Sequence, residues 1–295
     1  MSGGMPGFPA GTVTHRGIVN TPECDENGHM NVQFYWARFA RADQQFWLMA
    51  GIDAADVPVR LSRHVRYHAE LHGAVGLAIV SRLATDAEGA IGLLHQMVDG
   101  DSGALSATAF DRLALAPHDE ARIRAHWGIE PAPPAALPRS LAGRDPDPAL
   151  PEAEWRAAGA VETCRCEVEP QLVDPDGTIT DRGLVALSVE AAPATWLYAG
   201  FGQARLQAQG LGRVALEKRL LIARRPRVGD PIHILSRLIA AERVAFSVRH
   251  RYVDSRTGAF LASCDVTLLA MDLTRRKGVP LPDDVKAHMQ ALLGR

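Results

Sequence analysis

The 295-residue chain is short of several things, and each shortage narrows its function. Surplus charge of one sign is nearly absent: 32 Lys+Arg against 34 Asp+Glu give a formal net charge of −2. That balance argues against nucleic acid or an anionic membrane surface as a partner. No apolar run reaches the roughly 18 residues that a bilayer-spanning helix needs. The opening MSGGMPGFPAG has no charged stretch leading into an apolar one, so a short flexible tail is expected over 1–11 rather than a signal peptide. Cysteine occurs only four times (Cys24, Cys164, Cys166, Cys264), which suits reduced thiols and a cytoplasmic location. Cys164 and Cys166 form a C-x-C that is expected to point to opposite faces of a strand, and zinc sites usually want C-x₂₋₄-C. Neither G-x-G-x-x-G nor a P-loop occurs, so no glycine-rich phosphate cradle is expected, and neither is a resident cofactor or metal.

What is present is a repeat. CDENGHMN…FWLMAGI lies over VDPDGTIT…TWLYAGF at a constant shift that places Asp25 on Asp174, Gly28 on Gly177, Trp47 on Trp196 and Gly51 on Gly200. Further on, IVSRL meets ILSRL, His95 meets His250, and VDGDSGALSA meets VDSRTGAFLA. Agreement at two nearly constant shifts implies two homologous units, assigned to 12–118 and 160–273. Residues 119–159, with the short amphipathic HDEARIRAHWGI and the Pro-rich EPAPPAALPRSLAGRDPDPALPEAEW, are read as a helix and a linker. A helical tail is expected over 274–295, where Val285, Met289 and Leu292 share one face.

Each unit has the same expected order. A short strand (Thr12 to Val19; Ala160 to Val168) leads into a polar loop and a long apolar helix (Val32 to Ala50; Gly183 to Ala199), with Phe34, Phe39, Phe46 and Trp47 expected to be largely buried. In the first unit strands follow over Arg63 to Leu71, Leu77 to Thr85, Ala90 to Asp99 and Leu105 to Ala116. A helix followed by a meander of long strands implies an α+β unit with the helix laid on a curved antiparallel sheet. The loop DENGHMN sets Asp25, Gly28, His29 and Asn31 immediately before the first helix. It is either a tight turn with Asn31 as N-cap, or a catalytic loop at a helix N-terminus.

These residues resemble a known family. D-x-N-G-H-M-N followed by an aromatic helix ending near GI is similar to the hotdog-fold acyl-CoA thioesterases related to 4-hydroxybenzoyl-CoA thioesterase. RYHAEL, LLHQMVDGDSGALSAT and MDLTRRKGVPLPDDVKAHMQALL resemble the later strands and C-terminal tail of that group. The resemblance implies a double hotdog: two tandem units, each with a long helix wrapped by a curved antiparallel sheet. They would form an internal pseudo-dimer, possibly within a further homodimer, with sites at the interface between units. The implied activity is hydrolysis of an acyl-CoA or acyl-carrier-protein thioester, with coenzyme A entering only as part of the substrate. A hotdog enoyl-CoA hydratase or dehydratase and a non-catalytic acyl-CoA-binding protein are the alternatives.

Thioester hydrolysis needs an activated water or a nucleophilic carboxylate, plus donors for the oxyanion. Asp25 is the expected carboxylate, and the backbone from Gly28 onward, at the positive end of the helix, the expected donor set. His29 and Asn31 would orient the loop. Asp174 is the equivalent carboxylate in the second unit, but Thr178 and Thr180 replace His29 and Asn31, which puts that site in doubt. DRGLVALSVE resembles another hotdog branch, which makes Glu190 a candidate carboxylate there. Glu70 matches the family's Glu-Leu strand end, with Arg225 in its place in the second unit. Arg224, Arg225 and Arg227 form the densest basic patch and are candidates to hold the nucleotide of coenzyme A, or else a solvated hairpin turn. His64, His68 and His72 read as strand residues rather than as a metal-binding helix face, and the equivalence of His95 and His250 suggests a scaffold role.

Overall fold

A computed structural model describes residues 9–25, 28–144 and 150–294. Most of the expected N-terminal tail, 1–8, lies outside the described residues, as do 145–149 of the expected linker. The chain divides between Pro138 and Arg139 into two compact units. Among the described residues no helix is long and apolar enough to cross a membrane.

Unit 1 runs β1 (Thr12–Ile18), α1 (Val32–Met49), β2 (Val59–Tyr67), β3 (Gly76–Thr85), β4 (Ile91–Asp99), β5 (Leu105–Ala114), α2 (Pro117–His126) and β6 (Glu130–Pro131). Its five long strands are antiparallel in the order β1-β3-β4-β5-β2, and β6 adds a two-residue parallel edge to β3. The helix lies against β1, β3 and β4. Its inner face buries Tyr35, Trp36, Phe39, Phe46 and Trp47, while Phe34, expected inside, is only partly buried. Successive helix positions turn by about 100°, so Phe34 cannot share a face with both Trp36 and Phe39. The strand β2 starts and stops four residues earlier than expected. The amides of both His68 and Ala69 donate to the Ser106 carbonyl (2.8 and 3.1 Å). That doubled pairing ends the ladder and turns Leu71 into the core. Ile123 of α2 joins the cluster of Phe46, Trp47, Leu83 and Leu93, so α2 packs with unit 1.

Unit 2 runs α3 (Glu152–Ala157), β7 (Val161–Glu167), α4 (Asp181–Glu190), α5 (Ala192–Tyr198), α6 (Gln203–Gln209), β8 (Leu211–Ile222), β9 (Pro231–Ala241), β10 (Ala245–Asp254), β11 (Phe260–Asp272), β12 (Lys277–Gly278) and α7 (Asp283–Leu293). The strand order β7-β9-β10-β11-β8 repeats that of unit 1, with β12 paired to β11. The long helix expected over 183–199 is instead broken into α4 and α5. Pro193 has no N–H to donate to Val189, and the chain kinks at Ala191. The start also differs: Thr180 caps α4, its Oγ1 accepting from the Gly183 amide at 2.9 Å. Gly183 is needed there, because a Cβ would sit 2.5 Å from the Leu172 carbonyl oxygen. On α7 the expected face of Val285, Met289 and Leu292 is buried, packed with Trp196, Phe201 and Phe246.

Cys164 and Cys166 are a correction. In β7 they pair with Ile234 and Ile232 of β9, two alternate positions, so both side chains leave the same face. Strand side chains repeat with period two, and residues two apart cannot oppose one another.

Both sheets carry a row of buried polar side chains beneath the helix. In unit 1 Thr14 Oγ1 lies 2.6 Å from Ser81 Oγ, which lies 2.6 Å from His95 Nδ1. His95 Nε2 is 3.6 Å from Asp111 Oδ2, and Arg63 grips Asp111 through Nε and Nη2 (2.6 and 2.5 Å). In unit 2 Thr163, Ser236 and His250 repeat the first part at 2.6 and 2.8 Å. The buried Lys218 replaces Arg63, with Nζ 2.9 Å from Ser188 Oγ. The equivalence of His95 and His250 is thus structural: each holds a β3-type serine from a β4-type strand.

Candidate functional site

The loop before α1 is a tight turn, and its backbone explains how distant residues reach it. The Gly28 amide donates to the Asp25 carbonyl at 3.0 Å, and the Asp25 amide donates to the His29 carbonyl at 2.8 Å. Asp25 Oδ1 accepts from the His29 amide at 3.1 Å, which orients the carboxylate along the loop. Gly28 takes φ +75°, the left-handed region that glycine adopts without cost. The returning strand then lies over residues 71–73. The Met30 amide donates to the Leu71 carbonyl (2.8 Å) and the Gly73 amide to the Gly28 carbonyl (3.2 Å).

That crossing brings Glu70 and His72 to the loop although about forty residues separate them from it. Glu70 Oε1 lies 3.4 Å from His29 Nδ1. The His72 ring meets the His29 ring edge-on at 4.6 Å. Below them Tyr35 accepts from the Leu71 amide at 3.3 Å and packs edge-on against Tyr67 at 5.3 Å. Burial pushes the Tyr35 phenol above its ordinary pKa. Hydrogen bonds from Ser106 and Leu71 oppose this, and the negative charge of Asp25 adds to it. Asn31 caps α1, its Oδ1 accepting from the Gln33 amide at 3.2 Å. The Phe34 amide donates to the Asn31 carbonyl at 2.9 Å, and the Val32 amide stands at the open amino end of α1. The half-turn at 21–23 is pinned to α1 by Arg38, whose Nη2 reaches Glu23 Oε2 at 2.8 Å and the Ile18 carbonyl at 2.9 Å.

Asp25, Gly28, His29, Asn31 and Glu70 therefore meet in one place. Sequence reasoning missed His72 as a neighbour of His29, and Tyr35 and Arg38 as supports. Tyr35 had a signal: it lies four residues after Asn31, one turn along the same face. The buried Arg38–Glu23 pair had none.

Unit 2 builds the same frame with other side chains. The Asp174 amide donates to the Thr178 carbonyl (2.9 Å), Gly177 to Asp174 (2.8 Å), Ile179 to Pro226 (2.9 Å) and Val228 to Gly177 (2.9 Å). In Glu70's place Arg225 reaches Asp181 Oδ1 (2.5 Å) and the Ile179 carbonyl (2.7 Å). In His72's place Arg227 donates to the Asp176 carbonyl at 2.6 Å. Arg224 holds Asp254 Oδ2 at 2.8 Å. Each arginine of the basic patch is thus engaged within unit 2. Glu190 is exposed at the last position of α4, so about 14 Å of helix separates it from the Asp174 loop.

Two further features of unit 1 bear on ligands. Asp43, His95 and Asp111 bring three possible metal-ligating atoms within 4.8 Å of one another. Arg63 and Arg60 already fill that space, at 3.5 and 3.4 Å from Asp43 Oδ2. Burial alone would push the Asp111 carboxyl up; the Arg63 guanidinium overrides it and, with Arg60, holds Asp111 below the usual carboxylate range. The arginines make the cluster an ion-pair network. At the far end of α1 from the loop, Trp47, Ile52, Leu83, Ile123 and Trp127 line an apolar pocket of about 240 Å³. The length of α1 puts it about 27 Å from the Asp25 turn.

A family model described as the thioesterase-like superfamily matches residues 19–142 and again 168–289. Among solved structures, the chain is similar to a Lactobacillus plantarum protein described as an oleoyl thioesterase. The identity is 12%, covering 92% of this chain and 98% of that one, with a TM-score of 0.61. The 12:0-ACP thioesterase from Umbellularia californica gives 10% identity over 87% and 93% of the chains, with a TM-score of 0.60. An acyl-ACP thioesterase from Bacteroides thetaiotaomicron gives 9% over 86% and 96%, with 0.59. At these identities the solved structures show the shared fold. No curated protein sequence matches.

Proposed function

Because the chain belongs to the thioesterase-like superfamily, we propose that it hydrolyses an acyl-CoA or acyl-carrier-protein thioester to free acid and thiol, with the reacting groups in unit 1. The observation that carries this reading is the convergence of Asp25, His29 and Glu70 at the amino end of α1. Asp25 serves as base or nucleophile toward the thioester carbon. With water as the nucleophile, Asp25 takes its proton while the carbonyl oxygen gains charge. The Val32 amide and the positive end of α1 stabilise that oxyanion. Collapse of the tetrahedral intermediate expels the thiolate. His29, its Nδ1 3.4 Å from Glu70, offers a ring N–H donor where the oxyanion or the departing sulfur needs one. The relatives that match are thioesterases, which favours neither the hydratase nor the binding-only reading.

In unit 2 the Glu70 position carries an arginine locked to Asp181, and no histidine stands at the His29 position. We assign that loop to structure, and read the two units as products of an internal duplication of which one kept the chemistry. The test is thiol release from a panel of acyl-CoA and acyl-carrier-protein substrates of graded chain length. Asp25→Ala is expected to lower kcat by at least 100-fold, and Asp174→Ala by less than threefold. No turnover of any substrate by the parent, or an Asp25→Ala variant as active as the parent, refutes the reading.

A further inference from the structure

We propose that Glu152, His233 and Ser255 of unit 2 form a nucleophilic triad, in which Ser255 takes the acyl group of a small activated carboxylic ester. Three separate elements supply it: Glu152 opens α3, His233 lies near the start of β9, and Ser255 directly follows β10. Ser255 Oγ is 3.0 Å from His233 Nδ1, and His233 Nε2 is 3.2 Å from Glu152 Oε2. The other Glu152 oxygen accepts from Arg156 Nε at 2.7 Å, so both carboxylate oxygens are fixed. Burial pushes the Glu152 carboxyl up, but the bonds from Arg156 and His233 override it and hold the carboxyl below its usual range. A carboxylate can only accept, so the ring hydrogen stays on Nε2 and the Nδ1 lone pair faces the serine hydroxyl. His233 is buried, while Ser255 is partly exposed and open to a small electrophile.

The frame does not need these side chains. Unit 1 builds the matching turn on the same backbone hydrogen bond, from the Gly100 amide to the Gly76 carbonyl at 2.7 Å, where unit 2 has Ser255 to Pro231 at 2.9 Å. There Gly100 stands in the place of Ser255 and Ala78 in the place of His233. The hydroxyl and the imidazole are therefore additions of unit 2 and not parts of the shared scaffold. The turn holds Ser255 in place: Asp254 Oδ1 accepts from the Arg256 amide at 2.9 Å, and the Asp254 carbonyl accepts from Gly258 at 2.8 Å. Val253 pairs with His233 on one side and Phe260 on the other, which puts the partly exposed Phe260 on the imidazole's face as an apolar surface for a short acyl group. In the reaction Oγ attacks the ester carbonyl carbon while Nδ1 takes the hydroxyl proton. Collapse breaks the bond to the leaving oxygen, which departs with that proton and leaves an acyl ester on Ser255. Water, deprotonated by the same Nδ1, then releases the carboxylic acid and restores the serine. The amides of Arg256, Thr257 and Gly258 all donate to Asp254, so they are not aimed at an oxyanion, and the acyl-serine is expected to hydrolyse slowly.

The test uses the full-length protein in an Asp25→Ala background, which removes the chemistry proposed for unit 1. A fluorophosphonate is expected to label a single serine, mapped to Ser255 by mass spectrometry. p-Nitrophenyl acetate should give a burst of about one equivalent of p-nitrophenolate per chain before a slower phase. His233→Ala, which carries the residue that unit 1 has at Ala78, should slow labelling by about 100-fold or more. Glu152 acts through His233 as a positioning residue: Glu152→Gln should slow labelling by about tenfold or more with the melting temperature unchanged, and Glu152→Asp should recover part of the rate. Circular dichroism checks that each variant is folded. An unlabelled Ser255 in that background, labelling spread over several serines, or a labelling rate unchanged in either His233→Ala or Glu152→Gln overturns the proposal. A lower melting temperature in Glu152→Gln with labelling unchanged would show that the three residues only tether α3 to the sheet.

Discussion

Acidification should expose the electrostatic cost hidden in the core of unit 2. His250 is 1% exposed, bonds Ser236 through Nδ1, and faces the buried amine of Lys218. Burial first, and Lys218 second, lower its pKa from 6.5 to about 3. The unfolded chain takes up a proton near pH 6.5 that the native state refuses until about pH 3. Native stability is therefore full above the unfolded value and falls as the pH drops through this window. The linkage integral gives about 3 kcal/mol lost by pH 4.5, approaching about 5 kcal/mol below the folded value. Urea denaturation of the parent and of His250→Asn, at pH 7.5 and 4.5, isolates the effect. The variant starts less stable, because Ser236 loses its ring partner. The difference between the two proteins should shift in the variant's favour by about 3 kcal/mol on acidification. Other acid-sensitive groups cancel in that difference, including His15, which burial, Arg38 and Arg41 lower to about 4. A difference constant to within about 0.5 kcal/mol would show that His250 carries no such penalty, and the reading of the buried row would fail.

Three further predictions follow from the same cores. Asp111→Asn leaves the fully buried Arg63 without its charged partner and should cost about 3–5 kcal/mol in chemical denaturation, with Asp43 recovering a little. Lys218→Met removes a buried amine whose pKa burial lowers. The unfolded chain binds a proton the native state resists, so the parent should gain stability as the pH rises toward 10.5, whereas the variant lacks that slope and should match or exceed the parent's melting temperature at pH 7. Gly183→Ala forces a Cβ against the Leu172 carbonyl and should cost about 1–3 kcal/mol, while Gly28→Ala meets open space and should cost about 1 kcal/mol through its positive φ alone.

Much of the fold was legible because the repeat is written in side chains that the scaffold needs. Ser81 and Ser236, His95 and His250, and the Asp-Gly turns occupy matching places in two sheets of the same strand order, and matching roles kept them alike. The Asp25 loop was legible for a second reason: a left-handed glycine, a cap and a carboxylate are all local devices. What escaped depends on contacts far apart in sequence or on backbone faults. The early end of β2 comes from two amides sharing the Ser106 carbonyl, and no local pattern announces that. The break between α4 and α5 follows from Pro193, a local signal inside a segment whose apolar character runs on through it. The meeting of His29 with Glu70 and His72 follows from hydrogen bonds between 28–30 and 71–73, so only the folded chain reveals it.

The two loops separate what a hotdog frame requires from what chemistry requires. Four backbone hydrogen bonds recur between the units at 2.8–3.2 Å, and a left-handed glycine recurs with φ of +75° and +81°. The backbone makes those features, and the glycine is the residue identity they require. The ionisable groups do not recur. Unit 1 gathers a carboxylate–imidazole pair that is part exposed, at 12% and 32%, and so open to a substrate. Unit 2 spends the equivalent position on Arg225, clamped to an aspartate only 3% exposed. Arginine stays charged at any working pH and cannot move a proton, whereas an imidazole beside a carboxylate belongs to the class of groups that can. The proposal that turnover belongs to the first loop therefore rests on the kind of side chain at the Glu70 and His29 positions, not on the backbone frame, which both loops share.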